Sequence, residues 1–188
     1  MNEGGREQSE TAALVRAAQA GDRTAFNQLV QLYQRQAVGL ALGILRSKDD
    51  AAEAVQEAFV KAYLGLAGLS QPERFRFWLL RITAHESISR RRAAKRRRIA
   101  TARFVTTRTE RRSSEPQESQ DADELQVAVE HAMQQLTDNE ARAIALFGLD
   151  DLPHEEVGRI MGCSAGAVRW HVHRARKKLR VLLKEYLE

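Results

Sequence analysis

Apolar positions recur along this chain at intervals of three and four residues, the period of helices with one buried face. Phe26, Leu29, Val30, Tyr33, Ala37, Leu40, Ala41, Ile44 and Leu45 hold that spacing without interruption. They predict one long amphipathic helix, with Asp22 placed to accept hydrogen bonds from its first free amides. Ahead of it, Thr11 to Ala20 predicts a shorter helix that stops at Gly21. Behind it, Asp49, Asp50 and Glu53 put negative charge on the first turn of a third helix, where the helix dipole favours it. Ala54, Val55, Ala58, Phe59, Ala62, Tyr63 and Leu66 form the buried face of that helix.

Gly65, Gly68, Ser70 and Pro72 then interrupt the pattern, and Pro72 stands where a helix start tolerates proline. Phe75, Trp78, Leu79 and Ile82 give the core face of a fourth helix, which runs through Ile88 into Arg90-Arg91-Arg92. From about Ala93 to Asp123 the period is lost and Ser, Gln, Pro116 and opposed charge blocks take over, the composition of a flexible linker. A second helical set begins near Leu125. Leu125, Val129, Ala132, Met133 and Leu136 share one helix, and Asn139 to Leu149 a second, opened by Thr137-Asp138-Asn139-Glu140 in the spacing of a capping box. Leu152-Pro153-His154 leads into a third, Glu155 to Met161. Gly162 can then take a positive φ and Ser164 can cap a last helix from Ala165 to about Tyr186, with Val168, Val172, Ala175, Leu179 and Leu182 inward. The expected fold is all-α: two small helical domains, 1–92 and 125–188, joined by a flexible charged linker, 93–124.

Composition narrows the picture without changing it. With 188 residues, 3 Pro and 11 Gly, the chain is too short for a large barrel and too poor in turn residues for an all-β fold. Its one cysteine, Cys163, excludes an internal disulfide and a multi-cysteine zinc site and fits a reducing compartment. Met1 to Glu10 lacks the apolar core of a signal peptide and no run approaches the ~18 apolar residues of a membrane span, so a cytoplasmic protein is expected. The net charge of +5 matters less than its distribution. Arg90 to Arg112 holds eleven bases and one acid, Ser113 to Glu124 five acids and no base, and Ser164 to Arg180 six bases and no acid. Two basic blocks in an otherwise acidic chain point to a polyanion, because every phosphate neutralised releases counterions.

Two short helices around Gly162, the second basic and capped by Ser164, match the helix-turn-helix pattern. Val157 and Ile160 would pack against Val168 and Val172, leaving Gly166, Arg169, Trp170, His173 and Arg174 to face a major groove. Arg169 and Arg174 are the stronger contacts, since guanidinium matches guanine O6 and N7. The alternative for these helices is a helical hairpin with no nucleic-acid partner. His171 and His173 form His-x-His, yet no Cys or His framework, nucleophile-base pair or phosphate-cradling glycine motif supports catalysis or a metal site. No enzyme activity and no cofactor are expected.

These residues carry a resemblance. Glu155 to Arg169 followed by His173-Arg174-Ala175-Arg176 resembles region 4 of the extracytoplasmic-function sigma factors of bacterial RNA polymerase. Gly21 to Phe26, Asp50 to Tyr63 and Phe77 to Ile82 resemble region 2 of the same family, in the same order. The resemblance implies a dissociable initiation factor with core RNA polymerase (β′ clamp and β flap) and promoter DNA as partners, and an anti-sigma factor that could hold it at the membrane. It implies clamp contacts at Asp50, Glu53, Gln56 and Glu57, −10 element contacts at Lys61, Gly65, Leu69, Arg74, Arg81 and His85, and −35 element contacts at Gly166, Arg169, Trp170, His173 and Arg174. The chain departs from the family pattern at Ala52, where an acid is usual, at His85, where Asn is usual, and at Trp170, where a small polar residue is common. A competing class, a two-domain regulator that binds an operator without polymerase, is separated from this one by whether free DNA is footprinted.

Overall fold

Local caps set most helix boundaries. In the computed structural model, which describes residues 3–104, 120–149 and 152–186, every α-helix predicted by periodicity is present. Helix α1 (Glu3–Gln19) extends further toward the N-terminus than its apolar stripe, and Gly21, at φ +100°, turns the chain behind it. The Asp22 carboxylate accepts from the Thr24 and Ala25 amides to start α2 (Arg23–Leu45), and the Ser47 hydroxyl accepts from the Asp50 amide to start α3 (Lys48–Gly65). Two single 3-10 turns follow, Leu66–Gly68 and Pro72–Arg74. Pro72 therefore opens a 3-10 turn, and α4 (Phe75–Phe104) begins after it.

The 30 residues of α4 span roughly 45 Å at 1.5 Å per residue. Its second half is the basic run that the sequence assigned to the start of a linker. Arg, Lys and Ala are strong helix formers, and that propensity carries the helix past the end of its apolar stripe. At the other end α5 (Gln120–Gln134) likewise begins inside the expected linker, whose middle lies outside the described residues.

Helix α6 (Asp138–Phe147) opens with the predicted capping box: the Thr137 hydroxyl accepts from the Glu140 amide while the Glu140 carboxylate accepts from the Thr137 amide. Helix α7 (His154–Met161) ends at Gly162, whose φ of +71° makes the tight turn, and Ser164 caps α8 (Ala165–Leu182) through the Ala167 amide. A final 3-10 turn covers Lys184–Tyr186. Tyr63 and Leu182, placed on buried faces by their period, are exposed. Helical period marks a stripe, not how far the neighbouring helix extends along it.

Packing organises these helices around three apolar cores. One belongs to α1–α4 and includes Val15, Leu29, Tyr33, Phe59, Phe75 and Leu79. A small one, Met133, Leu136, Ala141 and Ala175, belongs to α5, α6 and α8. The third is shared: Leu40 and Ile44 of α2 and Leu80, Ala84 and Ile88 of α4 meet Leu146 of α6, Val157 and Ile160 of α7 and Val172 of α8. The two helical modules are thus seated on each other. Gly39 and Gly43 let α2 approach α6 closely, since a Cβ at Gly43 would lie 3.0 Å from Ala145 Cβ and one at Gly39 3.3 Å from Leu149. Arg91 closes the same seam with polar contacts, donating to the Met133 and Leu136 carbonyls at 2.9 and 2.7 Å and to Asp138 at 3.0 Å, while Arg92 reaches Asp138 at 2.6 Å. The Met133 carbonyl, which also accepts from the Leu136 amide, and the Leu136 carbonyl just beyond α5 thereby gain a donor from the front module.

Leu146 is fully buried in the shared core. Leu146→Ala is expected to lower stability by about 2–5 kcal/mol, the range for leucine truncation in a packed core, read from urea denaturation followed by circular dichroism. A loss below about 1 kcal/mol would mean that the site collapses or is not packed as described.

Candidate nucleic-acid interface

The first half of α8 presents a single stripe. Gly166, Arg169, Trp170, His173 and Arg174 follow one another at helical spacing on its exposed side, while Val168, Val172 and Ala175 anchor the opposite side. Close approach of the two helices of the turn is set by Gly158 of α7, where a Cβ would lie 2.7 Å from the Cys163 carbonyl oxygen. Arg169 and His173 have no hydrogen bond or ion pair among the described residues. Arg174 is different: its guanidinium carbon lies 4.7 Å from the Trp170 ring centroid and its Nε 3.3 Å from the Glu140 carboxylate. Trp170, 53% exposed, also meets His171 edge-on at 4.9 Å. The arrangement can lay a cationic, partly aromatic ridge into a duplex groove.

Glu140 was visible in the sequence only as a helix-capping residue. It is 1% exposed and also receives Lys178 Nζ at 2.7 Å. Burial works to raise its pKa, but the hydrogen bonds from Lys178 and Thr137 prevail and hold the carboxyl below the ordinary glutamate value. A charged acid is therefore kept inside the helix-turn-helix module, fixing two cations of α8.

A second group of expected contacts divides into two sets. Leu69, Arg74 and Arg81 surround a cavity of about 210 Å³ between the 3-10 turns and α4, with Gln71, Phe77 and Trp78. Arg159 and Ile160 of α7 complete its wall, so the rear module borders it. Gly65 lies beneath Trp78, whose indole would stand 3.3 Å from an added Cβ. Gln19 holds the loop by donating to the Leu66 and Leu69 carbonyls. Lys61 and His85 are instead gathered by Glu86, a residue that the apolar period passes over. Lys61 Nζ donates to Glu86 at 2.7 Å and lies 3.4 Å from Glu57, while His85 Nδ1 is 3.1 Å from the other Glu86 oxygen. The Glu86 side chain is 11% exposed. Desolvation pushes its pKa up, yet the hydrogen bonds from Lys61 and His85 bring it below the ordinary value, and Lys61 is raised chiefly by its bond to Glu86.

The polar residues of α3 expected to meet a partner also separate. Glu53 is engaged by Arg90 at 2.6 Å and Glu57 by Lys61, whereas Gln56 is exposed with no polar partner among the described residues. Asp50 is half-buried and lines a cavity of about 610 Å³ between the modules, together with Arg46, Arg91, Lys95 and Arg98. Among the described residues no group of three or more His, Cys, Asp or Glu is placed to hold a metal ion, and no helix is long and apolar enough to cross a membrane.

Comparison with known proteins adds an independent observation. Residues 29–97 match the family model for sigma-70 region 2, and residues 126–179 that for sigma-70 region 4. The RNA polymerase sigma-H factor of Pseudomonas aeruginosa is 31% identical over 95% of this chain and 98% of its own length. The ECF RNA polymerase sigma-E factor of Escherichia coli is 33% identical over 92% of this chain and 94% of its own. In fold, the chain is similar to CnrH, solved in complex with the cytosolic domain of CnrY, with a TM-score of 0.67 at 24% identity over 94% of this chain and 98% of that one. It is also similar to the sigma factor RpoE of Bartonella quintana, solved with the anti-sigma factor NepR, with a TM-score of 0.61 at 24% identity over 85% and 96% of the respective chains.

The Glu86 cluster makes stability depend on pH in a definite direction. Its carboxyl holds a proton less tightly folded than unfolded, so its contribution is complete above the ordinary carboxylate range and is lost as pH falls through the lowered value. Glu86→Gln is expected to flatten the decline of the melting temperature between about pH 5 and pH 3, followed by circular dichroism. An unchanged acid profile would show that Glu86 is not ionised in this network.

Proposed function

Since the chain belongs to the extracytoplasmic-function branch of the sigma-70 family of RNA polymerase initiation factors, we propose a division of labour between its two modules. The front module, residues 1–92, binds core polymerase and the −10 element, and the rear module, residues 125–188, reads the −35 element as duplex and meets the β flap. The observation that carries this reading is the stripe on α8, bare of apolar residues except Trp170 and standing on a helix held by Val168 and Val172. The protein works in the cytoplasm and performs no bond chemistry. It shifts an equilibrium, because single-strand capture favours melted DNA by its differential affinity.

In the front module, the exposed Gln56 and the ion-paired Glu53 and Glu57 provide the polar face for the β′ clamp, with Asp50 at its edge. A multisubunit partner bearing arginines can displace Arg90 and Lys61 by charge-assisted bonds of the same kind. The cavity bounded by Leu69, Arg74 and Arg81 takes a base turned out of the stack, and Lys61 and His85 flank the strand. Imidazole at His85 lacks the paired donor and acceptor of an amide, so the preferred −10 sequence differs from that of an asparagine reader. An anti-sigma factor is a further partner, since both solved neighbours are held by another protein chain.

Seating of the modules bears directly on this reading. Arg159 and Ile160 of α7 stand at the cavity that would receive the flipped base, so α7 must withdraw before strand capture. Two modules that each bind DNA weakly then reinforce one another through effective concentration.

Run-off transcription with bacterial core polymerase is expected to yield promoter-specific transcripts only when the chain is added, and Arg169→Ala is expected to reduce them at least several-fold. Tight footprinting of free operator DNA with no binding to core polymerase would overturn the reading in favour of an autonomous regulator. Cross-linking tests the need for separation. In Gly43→Cys/Ala145→Cys the Cβ atoms would start 3.0 Å apart, closer than the ~3.5–4.5 Å of a disulfide, so α2 and α6 part slightly to accept the bridge while the modules stay tethered. The oxidised double variant is expected to lose transcription and regain it on reduction; full activity of the cross-linked form would show that the seated arrangement binds promoters.

A further inference from the structure

Glu140 does more than its capping position requires. The capping box needs only an acceptor at this place, which glutamine supplies as well as glutamate. The chain nevertheless buries an ionised carboxylate here, at a desolvation cost that only paired charges offset. The two cations that answer it come from one turn of α8: Lys178 at 2.7 Å on Oε2 and Arg174 Nε at 3.3 Å from Oε1. Arg174 belongs to the exposed stripe and its side chain is 47% exposed. One face of its guanidinium lies over Trp170 at 4.7 Å, and its Nε edge is turned to Glu140. Its two terminal nitrogens have no partner among the described residues.

Resting on the reading of the rear module as a duplex reader, we propose that Glu140 is a positioning residue for base recognition: together with the Trp170 ring it fixes the plane and direction of the Arg174 guanidinium, leaving its terminal nitrogens aimed outward to read one guanine of the upstream element. An arginine free to rotate loses much of its rotamer entropy on binding, and one held in place beforehand does not. Stacking on the indole sets the plane, while the ion pair with Glu140 draws the Nε edge inward, the edge that an end-on, two-nitrogen contact with guanine O6 and N7 leaves unused. The arrangement also gives Trp170 a role as a platform under the reader, where it need not touch a base itself.

The test uses the full chain assembled with core polymerase on promoter fragments whose upstream element is randomised, scoring transcription from every sequence. Arg174→Ala identifies the base position that Arg174 reads. Glu140→Gln keeps the capping acceptor and removes the charge, so its melting curve is followed alongside to confirm that the module folds. The expected result is a roughly tenfold loss of selectivity, within the range for one bidentate base contact, at that same position and no other. Arg174→Lys, which keeps the charge without the planar fork, is expected to give the same single-position loss. Unchanged selectivity in Glu140→Gln, or an even weakening across all sequences, overturns the inference while leaving the duplex-reading role intact. No upstream selectivity in the unmodified protein overturns both.

Discussion

The apolar seam between the two modules is the constraint on which the rest of the molecule depends. Two of the rear helices are short, α6 of 10 residues and α7 of 8, and among the described residues the private core of the rear module has four buried side chains. Short helices gain most of their stability from packing one apolar face, and here much of that face is covered by α2 and α4. Leu40, Ile44, Leu80 and Ile88 are each nearly fully buried in the seam, each contributing about 1.5–3 kcal/mol relative to exposure. That apolar gain offsets the desolvation of Arg91, whose guanidinium is drawn into the seam and satisfied there by two carbonyls and Asp138. The two glycines of α2 are a necessary condition, since larger side chains would hold α6 away.

How much of this was legible in the sequence follows from the range over which each interaction acts. Asp22, Ser164, Gly162 and the Thr137–Glu140 pair act within a few residues, and the structure places each where its chemistry predicts. The exposed stripe of α8 was likewise legible, because helical period alone separates Arg169 from Val168. The seam was not. Leu40 and Ile44 advertise a buried face, but nothing local says that the face meets α6 and not another helix of the same module. The basic half of α4 is hidden for a different reason: opposed charge blocks and a lost apolar period read as a linker, whereas the helix propensity of Arg, Lys and Ala carries the helix through them. Glu86 and Glu140 lie among polar neighbours, and only the fold shows that each is buried with cations converging on it.

Those two carboxylates give the candidate DNA surfaces a common design. In each module a nearly buried acid gathers basic side chains from the surface that would face nucleic acid: Lys61 and His85 around Glu86, Arg174 and Lys178 around Glu140. A surface made only of cations would repel itself before a polyanion arrives. An acid beneath it lowers that cost and orders the donors, at the expense of part of the positive potential. Arg169 and His173, with no such partner among the described residues, keep their full freedom for phosphate or base.

The position of the two tryptophans has an optical consequence. The chain contains 2 Trp, one in each module: Trp78 is partly buried over Gly65 and beside Phe75, while Trp170 is half in water beneath a guanidinium. The more buried indole emits at shorter wavelength than the more hydrated one, so the two halves of the molecule carry distinguishable native chromophores. Events at either surface are therefore observable in the unlabelled protein by its own ultraviolet fluorescence.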